Sequence, residues 1–136
     1  QAQILELINT LKVNFNLTMM FISHNLRVVK YISDRIAIMY LGKIVELGNT
    51  LDIFQKAFHP YTKALFMAIP KGKKRVAEEK KYALKGVVPS PINTPSGCYL
   101  HPRCPFSDEK CVKDEPVLEK YGNDHYVACH HFKDIN

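Results

Sequence analysis

All four cysteines of this chain lie in its final third, at Cys98, Cys104, Cys111 and Cys129, and none occurs before them. From Leu84 onward the sequence is rich in Pro, Cys and His and offers few periodic apolar residues. Such a segment rarely holds a core of its own without staples or a metal, so the thiols are expected to act together. Two disulfides would allow three pairings. The chain opens without a charged-then-apolar leader, which points to the reducing cytosol, where disulfides are unusual. A metal or cluster site is therefore the better explanation. Four thiolates suit tetrahedral zinc and equally an iron–sulfur cluster, which needs one Cys per iron in the four-iron type. The intervening stretches of five, six and seventeen residues are wider than the C-x(2–4)-C knuckles that usually hold structural zinc. That spacing leans slightly toward a cluster. His101, His125, His130 and His131 could each replace a thiol as ligand. Because four Cys already complete a tetrahedral set, these histidines read instead as exposed loop residues or hydrogen-bonding neighbours of the site.

The stretch from Thr18 to Val29, TMMFISHNLRVV, carries a second signal. Its apolar run predicts a short strand over residues 18–23, buried on both faces. From Asn25 onward the apolar residues fall at Leu26, Val29 and Ile32, with Val28 beside them, which is a helical stripe. His24 thus stands where a strand ends and a helix over about 25–33 begins, with Asn25 or His24 as the N-cap. In open α/β sheets ligands bind at that carboxyl edge. On the residues alone, a single His at this place reads more simply as a structural or capping group.

Elsewhere the pattern is of short alternating elements. Ile4, Leu7, Ile8, Leu11 and Phe15 form one face of an amphipathic helix over residues 2–15. DRIAIMYL (34–41) and IVEL (44–47) read as strands joined by a tight turn at Leu41-Gly42-Lys43, a hairpin. Thr50 can cap a short helix through Phe54 and Gln55. His59-Pro60 opens another helix to Ala68, with Pro in its first turn, and Pro70 stops it. The charged run KGKKRVAEEKK (71–81) reads as a linker or a solvated helix. Glu46 and Asp52 look too isolated for an acid–base pair.

With 46% hydrophobic and 24% charged residues the composition is that of a globular protein. The net charge of +6 favours acidic partners or membrane surfaces only weakly, and no apolar stretch approaches the roughly 20 residues of a membrane span. The chain opens on QAQILELINTLKVNF with no initiator Met and an element already under way, which suggests a piece of a longer protein.

FISHNLRVVKYISDRIAIMYLGKIVELG resembles the last part of an ABC-transporter ATPase. HPYTKALFMAIP, PSPINTPSGCYLHPRCP and YVACH resemble the C-terminal extension of the oligopeptide and dipeptide importer ATPases. The resemblance extends over nearly the whole chain, from Gln1 to about His131. The resemblance implies an α/β fold: the C-terminal part of a P-loop ABC ATPase domain (1–69), with short strands, flanking helices and a hairpin. A charged linker (70–83) and a small, loop-rich Cys-containing tail (84–136) follow. It also implies that His24 is the switch histidine, which contacts the γ-phosphate of ATP and helps hold the attacking water, with Ser23 and Asn25 beside the nucleotide. A positioned imidazole can donate to a phosphate oxygen whose charge must be stabilised. The family usually has Asp after this His; Asn25 keeps a helix cap and removes a charge.

In some members the tail cysteines are associated with an iron–sulfur cluster. The match at Cys98, Cys104, Cys111 and Cys129 raises a [4Fe-4S] cluster over zinc. No G-x-x-x-x-G-K-[ST] loop, Walker B carboxylate pair or signature sequence occurs in these residues. The expectation is that this piece is inactive alone, while its parent binds ATP and Mg and hydrolyses ATP. The implied partners are a second ATPase subunit, identical or paralogous, transmembrane permease subunits and, indirectly, an extracytoplasmic peptide-binding protein. The implied place is the cytoplasmic face of the plasma membrane, peripherally, with no nucleic acid bound. The alternative is a metal-stapled nucleic-acid-binding or interaction module, suggested by the basic pI and the Cys group.

Overall fold

The computed structural model describes residues 2–69 and 76–136. Ten elements follow in order: α1 (Ala2–Asn14), α2 (Leu26–Ile32), β1 (Arg35–Tyr40), β2 (Lys43–Asn49), α3 (Thr50–Gln55), α4 (Pro60–Met67), α5 (Val76–Lys81), α6 (Glu109–Lys113), β3 (Glu119–Lys120) and β4 (His125–Val127). Part of the expected linker, residues 70–75, lies outside the described residues.

The hairpin forms as its sequence demands. Ile36, Ile38 and Tyr40 alternate into the interior while Arg35, Ala37 and Met39 face outward, the period of a half-buried strand. Leu41 and Gly42 both adopt positive φ, 46° and 80°, which makes a two-residue turn whose twist matches that of the strands. The β1–β2 register runs from Arg35 opposite Asn49 to Tyr40 opposite Lys43, with an irregularity between Ile38 and Met39.

The last residues of the chain complete the sheet. β4 pairs antiparallel with β2, and β3 pairs with β4, giving the order β1-β2-β4-β3. Gly48 allows this approach: a Cβ there would sit 2.7 Å from the Asp124 carbonyl oxygen. One apolar cluster joins Ile36, Ile38, Tyr40, Val45, Ile53, Ala57 and Phe66 with Leu100 of the tail, and a second joins Phe58, Val127 and Phe132. Burying a side chain such as Ile53 stabilises by about 1.5–3 kcal/mol. The core is thus assembled from both ends of the sequence.

Two local expectations are corrected. No strand forms over residues 18–23, and Met20 and Ile22 are 91% and 90% exposed. A strand exists only by pairing its backbone groups with a neighbour, and the described residues bring none to this segment. The apolar face of α1 is likewise exposed, at Ile4 and Leu7. The cap of α3 is Asn49, whose side chain accepts from the Leu51 N–H at 3.0 Å. Thr50 sits one residue inside the helix, its hydroxyl buried without a hydrogen-bond partner.

Candidate functional site

Ser23, His24 and Asn25 form the turn that starts α2. Asn25 is the N-cap, its side-chain oxygen accepting from the Arg27 and Val28 N–H groups at 3.1 and 3.4 Å. The Ser23 hydroxyl accepts from the Asn25 N–H at 3.0 Å. These bonds fix the backbone on both sides of His24, whose side chain is exposed and has no hydrogen-bond partner among the described residues. The arrangement fixes the backbone that carries the imidazole and leaves the ring exposed.

The four thiols converge. All are free, Cys111 being buried and the others half-buried. Asp108 caps α6, accepting from the Cys111 N–H at 3.0 Å, and this sets Cys111. The Cys98 N–H donates to the Cys111 carbonyl at 2.8 Å. Gly97 makes that crossing possible, since at φ 56° any Cβ would collide with the same carbonyl. Cys104 follows in the turn whose N–H donates to Leu100, and Cys129 leaves the end of β4.

Burial pushes all four thiols up, and each also feels the charge of another member: Cys98 that of Cys104, Cys104 that of Cys111, Cys111 that of Cys98. Cys129 is pushed up to about 12, first by burial and then by Cys104, Cys98 and Cys111 together. Thiols so placed are protonated at neutral pH and become ligands only when a metal takes the proton's place. No three of the four sulfurs lie within 4.8 Å of one another among the described residues. Zinc, with bonds of about 2.3 Å, needs sulfurs about 3.8 Å apart.

The histidines divide. The Nδ1 of His101 lies against the Ser96 and Cys98 carbonyls, and the Nε2 of His130 lies 2.9 Å from the Asp114 carbonyl. Both therefore act as hydrogen-bonding residues around the cysteine turns. His125 and Glu46, by contrast, were not legible as a pair. The fully buried Glu46 carboxylate meets the Nε2 of His125 at 2.6 Å and accepts from the Phe58 and His59 N–H groups at 2.8 and 3.1 Å. The signal was present in IVEL: a carboxylate in an otherwise apolar strand needs buried partners. His59 caps α4, its Nδ1 accepting from the Tyr61 N–H at 3.1 Å. Burial pushes His59 down to about 4, against the raising effects of Glu46 and of a hydrogen bond with the Ala128 backbone. It is neutral, which leaves Nδ1 free to accept.

Residues 45–111 match the family described as the oligopeptide/dipeptide transporter C-terminal region, the span that carries the Glu46 and His59 network and three of the four thiols. Over nearly its whole length the chain is similar to proteins named as oligopeptide transport ATP-binding proteins. It is 44% identical to the oligopeptide transport ATP-binding protein AppF of Bacillus subtilis, over 96% of the chain and 40% of that protein. It is also 44% identical to OppF of Haemophilus influenzae and 45% identical to OppF of Salmonella typhimurium, in each case over 95% of the chain and 39% of the relative. The chain therefore spans about two fifths of the length of these relatives. They lend no support to the nucleic-acid-binding alternative. No helix among the described residues is long and apolar enough to cross a membrane.

Proposed function

We propose that these residues serve in the ATPase subunit of an oligopeptide importer, where His24 contributes to the nucleotide site. The observation that carries this reading is the union in one chain of the Ser23-His24-Asn25 helix start with the transporter C-terminal region. Relatives named for oligopeptide transport and ATP binding support it. In the parent, MgATP would be cradled by a glycine-rich phosphate loop, which residues 1–136 do not contain. This chain would add the imidazole of His24, carried at the helix start and exposed, to stabilise charge developing on the γ-phosphate. The subunit would pair with a second ATPase, identical or paralogous, and dock beneath permease subunits at the cytoplasmic face of the membrane. A peptide-binding protein on the other side would deliver the cargo. The exposed apolar residues from Phe15 to Ile22 fit this reading, since the remaining strands of such a domain would cover them.

For the tail, we infer a metal-bound state on Cys98, Cys104, Cys111 and Cys129. Their converging but widely spaced sulfurs favour a [4Fe-4S] cluster over zinc. Such a group would cross-link the cysteine turns to β4.

The test is ATP turnover by the full-length subunit carrying His24→Ala. Turnover falls by about 100-fold or more if the imidazole stabilises the transferring phosphoryl group. Turnover at the unsubstituted rate removes the assignment.

A further inference from the structure

We propose that Lys12, on α1, is a positioning residue for His24: it anchors the far end of α2, the helix whose start carries the imidazole. This role rests on the reading of His24 as a nucleotide-site residue and adds a residue that aims it.

Lys12 is where α1 meets α2. Leu5, Ile8 and Lys12, at helical spacing, are the half-buried positions of a helix whose other described side chains are exposed. The Lys12 ammonium donates to the Asp34 carboxylate at 2.5 Å and reaches the Ile32 carbonyl at 3.5 Å. Ile32 is the last residue of α2, and the last four carbonyls of a helix lack the usual partner within it. An ammonium there satisfies one such carbonyl and sits at the negative end of the helix dipole. Asp34 is fixed in turn by α3, its carbonyl accepting from the Thr50 N–H at 3.0 Å. The lysine therefore ties α1 to the point where α2 ends, β1 begins and α3 starts.

Other contacts seat α2 without setting its tilt. Leu26 and Val29 pack on the apolar cluster, Ile32 is buried, and Lys30 lies 5.2 Å from the centre of the Phe54 ring. Apolar burial is non-directional and decides which face is covered. A charge-assisted hydrogen bond at one end supplies direction. With seven residues α2 is about 10 Å long, so a tilt of about 6° about its far end moves its start by about 1 Å. A misplacement of that size can cost about 100-fold in rate. The Lys12 and Asp34 side chains are 24% and 82% exposed, and ion pairs so placed add little stability. What the pair contributes is placement, and its loss leaves the fold standing.

The test uses the full-length subunit carrying Lys12→Met, which keeps the apolar stem and removes the charge, or Lys12→Arg, which keeps charge and donors. Lys12→Met should lower kcat for ATP about 5- to 20-fold with KM unchanged, and Lys12→Arg should recover most of that loss. In the His24→Ala background Lys12→Met should cost less than about twofold, because no imidazole is left to position. Independently of ATP, the backbone amides of α2 should exchange hydrogen faster in Lys12→Met. Full kcat in Lys12→Met, an equal loss in both backgrounds, a loss confined to KM, or unchanged exchange in α2 would each overturn the proposal while leaving the reading of His24 standing. Turnover at the unsubstituted rate in His24→Ala would overturn that reading and the proposal with it.

Discussion

The Glu46 carboxylate and the His125 imidazole meet 2.6 Å apart in the protein interior, although 79 residues separate them in sequence. Glu46 lies on β2 and His125 on β4, diagonal neighbours in a paired register where Glu46 stands opposite Val127 and Gly48 opposite His125. The same carboxylate receives the backbone N–H groups of Phe58 and His59. It therefore ties the hairpin, the start of α4 and the last strand at one point.

Removing that carboxylate leaves two buried N–H groups and a histidine without their acceptor. Glu46→Ala is expected to cost about 3–5 kcal/mol, read from urea unfolding. Glu46→Gln should cost less, because its amide keeps one acceptor oxygen. A loss below about 1 kcal/mol for the Ala variant would show that the network adds little.

The buried His59 gives a defined acid response. Its folded-state pKa is lowered from 6.5 to about 4, so between those values the unfolded chain binds the proton and the folded chain does not. Stability rises with pH where the unfolded state binds more protons. The His59 contribution is therefore complete above about pH 6.5 and is lost as pH falls toward 4. His59→Asn keeps an N-capping side chain and removes the titration. Its unfolding free energy should depend less on pH across that window than the unsubstituted chain's, and an identical slope would contradict the assignment.

Gly48 lets β4 reach β2. Gly48→Ala places a Cβ 2.7 Å from the backbone oxygen of Asp124, where neither side is a flexible side-chain end. The expected cost is about 1–3 kcal/mol. Hydrogen exchange should show it as faster exchange at Tyr126 and Val127 rather than throughout the protein.

The hairpin was legible because it is local: the alternation of Ile36, Ile38 and Tyr40 and the Leu41-Gly42 turn lie within a few residues of each other. The start of α4 was legible for the same reason, since His59-Pro60 carries both cap and first turn. Residues 18–23 show the opposite case. Their apolar run reads as a strand, but strand formation depends on a partner, and none of the described residues supplies one. Glu46 was misjudged as isolated because its partner is brought by β4, a pairing that three residues of local sequence do not announce. The cysteines were visible as a group. Asp108 and His131 beside Cys111 were not, because their meeting depends on where α6 and the turn after β4 come to rest.

The raised thiols predict the proton balance of metal loading at the four-cysteine set. All four are held above the ordinary thiol value, so at pH 7 they are protonated and must ionise to bind. Loading should release about four protons per centre, measured by calorimetry in buffers of different ionisation enthalpy, and should weaken steeply as pH falls. Release of one proton or fewer would mean that the four thiols do not bind as a set.

The most direct test of the account is uptake of a labelled oligopeptide into proteoliposomes that carry the full-length subunit with its permease and peptide-binding partners. ATP-dependent accumulation that collapses with His24→Ala, while the assembled complex stays intact, is the predicted result. Accumulation unaffected by His24→Ala, or ATP hydrolysis with no peptide movement by the unsubstituted protein, would contradict it.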